Sequence, residues 1–188
     1  MPPHFVLVNG RSYNIAESTG KWNPFAHTSS VVTAGTHATK THRTFRWLPW
    51  LKGNISITPL AGSDILTGPF SGCWVPIFTL GGTPYAGHIG TFETADTPES
   101  IQAKNAWTAA TALPGFTLHA AFNPARQFPI GWQAVAQKKG ATMDILAAIS
   151  STQICQLVGV SPYLQSGAGE KEIIGAAVVP SIHSSMDF

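Results

Sequence analysis

The chain has 188 residues, of which 44% are hydrophobic and only 11% are charged, and its formal net charge is +2. This length suits one domain with a substantial core, and the charged fraction is less than half the usual value of about 25%. So small a net charge gives no support for general nucleic-acid binding, and the sequence contains no apolar run long enough for a transmembrane helix. We therefore expect a single domain over residues 1–188 with many small and hydroxyl-bearing surface residues, which suits a β-rich fold.

The first third of the chain predicts short strands separated by polar segments. Residues 4–8 form an apolar run that ends at an Asn-Gly turn, and residues 12–15 can return beside it. Residues 17–44 are rich in Ser, Thr and Gly, so we expect a long surface segment with one strand nucleus at Val31-Val32. Residues 54–58 alternate apolar and polar side chains, which predicts a strand.

One long helix and further strands are predicted in the second half. Thr97 is a suitable N-cap, Pro98 suits the first helical position, and an apolar face then continues until Pro114-Gly115. The remaining strands are predicted at 115–122, 131–137, 152–160 and 172–179, whereas 143–149 fits either a strand or a helix. Many strands around one long helix predict an α/β (α+β) fold, a β-rich and sandwich-like domain.

Residues 40–50 interleave three basic residues with three aromatic residues. The simplest interpretation is an edge strand whose charges are solvated. The alternative is a docking surface for a protein or anionic partner, with Arg46, Trp47 and Trp50 as substrate-binding anchors. Tryptophan and arginine favour this alternative because they dominate the energetics of protein–protein interfaces.

Residues 66–90 contain the pattern with the clearest chemical meaning. Cys73, one of two cysteines, follows Ser71-Gly72 and opens an apolar run, and a second run beyond a Gly/Pro turn carries His88. The pattern predicts a β-hairpin in which Cys73 and His88 are cross-strand neighbours, with side chains that meet if they share a face. An imidazolium beside a thiol lowers the thiol pKa, and the thiolate attacks carbonyl carbon. We therefore interpret Cys73 as a candidate nucleophile with His88 as its partner.

The same segment resembles the signature of a family of glutamine deamidases. Phe70-Ser71-Gly72-Cys73, with His88 downstream, is similar to the Leu-Ser-Gly-Cys signature of cytotoxic-necrotizing-factor-type toxins, with Phe in place of Leu. The same superfamily holds the bacterial chemoreceptor glutamine deamidase and a lethal-factor-type toxin that deamidates a translation-initiation helicase. Those two enzymes use a threonine six positions before the cysteine, and Thr67 occupies that position here. The resemblance is confined to residues 66–90 and implies an α/β sandwich-like fold.

The resemblance implies a protein-glutamine glutaminase with catalytic residues Cys73, His88 and Thr67. Cys73 attacks the carboxamide carbon and His88 transfers protons, while Thr67 either orients His88 or supplies a hydrogen bond to the site. No metal or organic cofactor is needed. An amine in place of water would give transglutamination as a side activity. From residue type alone, Gly72 suits a backbone that bends or approaches another group, and a peptide N–H beside Cys73 suits an oxyanion donor.

The resemblance further implies a bacterial effector or toxin that acts on a protein substrate in the cytoplasm of a target cell. The N-terminus lacks the basic region and the long apolar region of a Sec signal peptide, which permits a specialised secretion route but does not identify one.

Several alternatives stay open on the sequence alone. The same Cys/His pair suits another cysteine hydrolase, such as a peptidase or a cell-wall amidase, and the low charge also suits a non-catalytic β-rich binding protein. A Cys73–Cys155 disulfide would disable the nucleophile, although the apolar pattern around Cys155 favours a buried structural residue. His37 and His42 lack a third ligand at metal-like spacing, so we expect no zinc site.

Overall fold

The computed structural model of the chain describes residues 12–15, 28–34, 42–61, 64–92, 96–162 and 171–179. The strand predicted at 4–8 and the residue His37 lie outside these ranges. Within them, every helix is too short or too polar to cross a membrane.

Strands dominate the described part of the chain. The strands are β1 (Ser12–Ile15), β2 (Thr28–Ala34), β3 (His42–Leu48), β4 (Ile55–Pro59), β5 (Ile65–Thr67), β6 (Val75–Leu80), β7 (Thr83–Ile89), β8 (Thr117–Phe122), β9 (Asp144–Ile149), β10 (Cys155–Pro162) and β11 (Lys171–Val178). The helices are α1 (Pro98–Thr111), α2 (Pro124–Gln127) and α3 (Gly131–Lys138). These elements confirm the prediction of a β-rich α+β domain.

The strands form two sheets of different shape. Seven strands close into a barrel in the order β1-β11-β10-β9-β5-β3-β2, and four form a separate sheet in the order β4-β7-β6-β8. The barrel closes because β1 pairs with both β11 and β2, and its pairs are antiparallel except for β3 with β5. One of the two layers expected for a sandwich is therefore a closed barrel.

Alternation of side chains along the strands divides the core into three parts. The barrel interior contains Trp47, Leu66, Leu146, Ala148, Val158, Val160 and Ile173. The cluster between the barrel and the sheet includes Leu48, Ile65, Cys73, Val75, Ile77, Phe122, Ala147 and Leu157. The far face of the sheet packs against α1 through Trp74, Phe78, Ile89, Ala103 and Trp107. Polar side chains that join the barrel to the sheet therefore lie in a buried layer.

Local signals placed α1 and the central hairpin correctly. Thr97 caps α1 by accepting a hydrogen bond from the Ser100 N–H at 3.2 Å, and Pro98 begins the helix. Strands β6 and β7 pair as an antiparallel hairpin whose turn is Gly81-Gly82. These glycines have φ angles of 56° and 82°, which residues with a Cβ rarely adopt.

Two segments of the fold differ from their predictions. The predicted strand at 131–137 is wrong, since these residues belong to α3, which packs Trp132 against Gly159 and Gly175 of β10 and β11. A Cβ on Gly175 would lie 2.2 Å from the Trp132 ring, so the glycines make room for the indole. The ambiguous segment 143–149 is strand β9.

The region between residues 17 and 44 also contains more structure than expected. Residues Thr28–Ala34 form β2, and β3 begins at His42, so the described part of this region supplies barrel strands. Strand β3 is not an edge strand, because it pairs with β2 on one side and with β5 on the other.

Candidate active site

The hairpin register places Cys73 and His88 on one face of the sheet. Just before β6, Trp74 and Ile89 exchange two backbone hydrogen bonds, of 3.2 and 2.9 Å. This register sets Gly90 opposite Cys73 and Val75 opposite His88, so the cysteine and the histidine are diagonal neighbours. Both side chains are directed towards the barrel, since Cys73 packs in the cluster between the layers and His88 bonds to β5.

Thr67 joins His88 to the barrel by a hydrogen-bond relay. The Thr67 hydroxyl lies 2.7 Å from His88 Nδ1 and donates to the Leu48 carbonyl oxygen, also at 2.7 Å. Because a hydroxyl has one hydrogen to donate, it must accept from a protonated Nδ1. The relay therefore fixes the tautomer of His88 and leaves Nε2 as an acceptor.

The free acceptor of His88 is buried. Its Nε2 atom has no hydrogen-bond partner among the residues that the structure describes, and the whole side chain is 0% exposed. Phe70 stacks on the imidazole with ring centroids 4.6 Å apart. Burial lowers the pKa of His88 to about 3, so the imidazole is neutral near pH 7. An unpaired buried acceptor costs stability, which makes Nε2 a functional candidate.

Cys73 is buried beside this histidine but does not bond to it. Its thiol donates to the Thr91 carbonyl oxygen at 3.3 Å, and no hydrogen bond joins Sγ to Nε2 in the described part of the chain. Burial raises the pKa of the Cys73 thiol to about 11, while backbone hydrogen bonds at Thr91 and Ser71 act in the opposite direction. The prediction that an imidazolium lowers the pKa of the Cys73 thiol is therefore wrong. Desolvation keeps both the thiol and the imidazole neutral.

The second cysteine does not disable the first. Cys73 and Cys155 are both free and buried, so the structure contains no disulfide between them. Burial also raises the pKa of Cys155, to about 12. Cys155 packs in the apolar layer between barrel and sheet, which fits the structural role predicted for it.

A pocket of about 260 Å³ lies beside Cys73 and is lined by Trp50, Pro69, Ser71, Cys73, Thr91 and Phe92. Trp50 and Phe92 are 41% and 40% exposed, so the lining combines two partly exposed aromatic rings with the buried thiol. The indole of Trp50 packs on Gly90, where a Cβ would lie 2.9 Å from the indole nitrogen. All of these side chains are uncharged near neutral pH, which suits a neutral substrate group with an apolar stem.

The structure separates the three predicted substrate-binding residues. Trp50 lines the pocket, as a binding residue requires. Trp47 lies in the barrel interior and is 3% exposed, which corrects its interpretation as an interface anchor, because a partner cannot reach it there. The half-buried Arg46 donates from Nη1 to the Thr58 hydroxyl at 3.0 Å and to the Pro59 carbonyl at 2.7 Å. Its guanidinium thus ties the barrel to β4.

Two polar residues at the site were missed by sequence reasoning. Thr91 and Asn123 both donate side-chain hydrogen bonds to the Gly72 carbonyl oxygen, at 2.8 and 3.3 Å. The hairpin register could have identified Thr91, which follows His88 by three positions. Asn123 lies 51 positions from Gly72 and shows no sequence signal, because tertiary packing alone brings it there.

The buried histidine predicts a loss of stability in mild acid. The pKa of His88 is about 3 in the folded protein, against an ordinary value of 6.5, so between these values only the unfolded chain binds the proton. Each unit of acidification in that window therefore lowers the free energy of unfolding by up to about 1.4 kcal/mol. Urea unfolding followed by tryptophan fluorescence from pH 6.5 down to about 5, where carboxylates are still ionised, measures this slope. His88→Asn should remove it, and an unchanged slope in that variant would contradict the assignment.

The described residues were compared with the requirements of a metal site, and the chain was compared with known proteins. Among the described residues, no group of three or more His, Cys, Asp or Glu side chains could hold a metal ion. No family model, no curated protein and no solved structure matches the chain.

Proposed function

We propose that this protein is a cysteine-dependent protein-glutamine deamidase with Cys73 as nucleophile and His88 as proton carrier. The main support for this proposal is the hydrogen-bond relay from His88 through the Thr67 hydroxyl to the Leu48 carbonyl oxygen. It holds a neutral imidazole with its basic nitrogen unpaired, on the same face of the hairpin as a thiol that lines a pocket. A neutral, oriented imidazole is the general base that a cysteine nucleophile needs.

The resemblance to the glutamine deamidases supports the same assignment. Thr67, Cys73 and His88 are the three positions that match the deamidase pattern, and they come from separate strands or loops. The hydrogen bond between Thr67 and His88 is consistent with the orienting role that the resemblance implies for the threonine.

The two pKa values constrain the order of proton transfer. Because the pKa of the thiol is about 11 and that of the imidazole is about 3, a separate thiolate–imidazolium pair is not populated in the unliganded site. The thiol proton therefore moves to His88 Nε2 as Sγ attacks the carboxamide carbon. For this transfer, the thiol must first give up its hydrogen bond to the Thr91 carbonyl oxygen and direct its proton to Nε2.

The rest of the reaction follows from the same two residues. Protonated His88 gives its proton to the departing nitrogen, so ammonia leaves and Cys73 holds the acyl group as a thioester. Water, activated by neutral His88, then cleaves the thioester and leaves glutamate. An amine in place of water would give a transglutaminated product.

The pocket favours glutamine within a protein over free glutamine. The pocket combines the aromatic rings of Trp50 and Phe92 with the Cys73 thiol, which suits the apolar stem and the carboxamide of a glutamine side chain. The described lining offers no charged side chain to hold the amino and carboxylate groups of a free amino acid. The resemblance to the deamidase toxins further suggests a bacterial effector or toxin that acts on a protein in the cytoplasm of a target cell.

Incubation with glutamine-containing proteins and peptides tests the proposed reaction. We expect ammonia release and a gain of about 1 Da in the intact mass of the product, since an amide becomes an acid. Fragments of the substrate chain without ammonia would identify a peptidase and refute deamidation. Absence of both products across a broad panel of surface-exposed glutamines would refute catalysis by this site.

A further inference from the structure

The carbonyl group before the candidate nucleophile is held by two buried side chains. The Gly72 oxygen accepts hydrogen bonds from the Thr91 hydroxyl at 2.8 Å and from Asn123 Nδ2 at 3.3 Å. Thr91 is 3% exposed and Asn123 is 1% exposed, so water does not compete freely for this carbonyl. The two donors follow the two strands that flank β6 in the sheet: Thr91 comes just after β7, and Asn123 comes just after β8.

The orientation of Asn123 is fixed at both ends of its carboxamide. Its Oδ1 atom accepts from the Ala125 N–H at 3.0 Å and caps α2, while Nδ2 donates to Gly72. The cap alone would be satisfied by serine, aspartate or threonine. An amide carries its acceptor and its donor on two separate atoms, so Asn123 reaches the Ala125 N–H with Oδ1 and the Gly72 oxygen with Nδ2.

Holding this carbonyl also orients the backbone N–H of Cys73. The peptide group is planar, and in its trans form the N–H points opposite to the carbonyl. The Gly72 oxygen faces Thr91 and Asn123, so the Cys73 N–H is directed away from both. Gly72 has a φ of 156°, which a residue with a Cβ rarely adopts, so the two hydrogen bonds hold a peptide orientation that depends on glycine.

We infer that Asn123 is a positioning residue for Cys73: together with Thr91 it aims the Cys73 N–H at the oxyanion that forms when the thiol adds to a carbonyl carbon. The inference rests on the proposed function, because it assigns this N–H to the tetrahedral intermediate of that reaction. A preorganised donor of this kind stabilises charge that develops only in the transition state. Asn123 therefore affects the acyl chemistry and not the intrinsic reactivity of the thiol.

A peptide aldehyde in place of the glutamine carboxamide separates these two effects. The Cys73 sulfur adds to the aldehyde carbon, the carbon–oxygen π bond opens and the thiol proton moves to that oxygen, so nothing leaves. Asn123→Ser keeps a cap oxygen, but its shorter side chain cannot reach Gly72. We expect this variant to raise the dissociation constant of the reversible aldehyde adduct by about tenfold or more. Alkylation of Cys73 by iodoacetamide needs no oxyanion donor, and its rate should stay within about threefold of the wild-type rate.

Thr97→Ala is the matched control, because it removes the N-cap of α1 and leaves the Cys73 loop intact. It should change neither the aldehyde affinity nor the alkylation rate.

If Asn123→Ser fails to fold, Thr91→Val provides the second test. This variant keeps the side-chain volume and removes the other donor to Gly72, so it should also weaken aldehyde binding and leave the alkylation rate unchanged. Unchanged aldehyde affinity, or equal losses in affinity and alkylation, would overturn the inference, as would a wild-type protein that forms no adduct. A wild-type protein that binds the aldehyde but releases no ammonia refutes deamidation alone.

Discussion

Replacing Cys73 with serine should lower ammonia release from a glutamine-containing substrate by about 10³-fold or more while the fold is retained. Serine nearly matches cysteine in shape, so the cluster between barrel and sheet keeps its packing. Its hydroxyl is a far weaker acid and a poorer nucleophile than a thiol, so transfer of its proton to His88 during the attack is much less favourable. Ammonia assays with circular dichroism of the same samples measure activity and fold together.

Cys155→Ser is the matched control for this experiment. Both cysteines are free, both are buried and both pack in the same cluster, but only Cys73 lines the pocket. The control should lose about 1–2 kcal/mol of stability through burial of a hydroxyl and keep its activity. Full activity in folded Cys73→Ser would remove Cys73 from the mechanism, and equal losses in both variants would indicate a general effect on the core.

The parts of the site that the sequence predicted are those controlled by local structure. The hairpin that carries Cys73 and His88 follows from two apolar runs around Gly81-Gly82, whose positive φ angles only glycine adopts readily. Register then follows from the turn, and with it the shared face of the two side chains. The hydrogen bond of Thr67 to His88 depends on barrel-to-sheet packing, and only the resemblance pointed to that pair.

The parts that the sequence did not predict depend on distant contacts. Closure of the barrel requires β1 to pair with β11 near the other end of the chain, and no local pattern specifies that pairing. The apolar alternation at 131–137 suggested a strand, but Trp132 fills the space above Gly159 and Gly175, and a helix delivers it there. Tertiary packing thus overrode the local pattern.

Burial at the site could not be inferred from residue spacing either. The sequence predicted an imidazolium that activates the thiol, whereas full burial lowers the His88 pKa to about 3 and raises that of Cys73 to about 11. Desolvation of a charge outweighs the attraction between two groups that do not share a hydrogen bond. The chemistry that we propose for His88 is therefore general-base catalysis by a neutral imidazole.

Replacing His88 with asparagine should lower ammonia release by about 10²–10⁴-fold, the usual contribution of a general acid–base group. The asparagine amide nitrogen stands near the position of Nδ1, so it can still donate to the Thr67 hydroxyl and preserve the relay to Leu48. Only Nε2, the proposed proton acceptor, is lost. Activity is measured by ammonia release, and stability by urea unfolding at neutral pH.

His88→Ala separates the structural role of the imidazole from its chemical role. It should lose as much activity as His88→Asn but also more stability, because it leaves the Thr67 hydroxyl without its donor and opens a cavity beside Phe70. If His88→Asn kept most of the wild-type activity, Nε2 would not be the base, although Cys73 could still be the nucleophile. If the two variants were equally stable, the relay would contribute nothing to the fold. Loss of activity in both, with stability lost mainly in the alanine variant, is the combination that an oriented and chemically active imidazole requires.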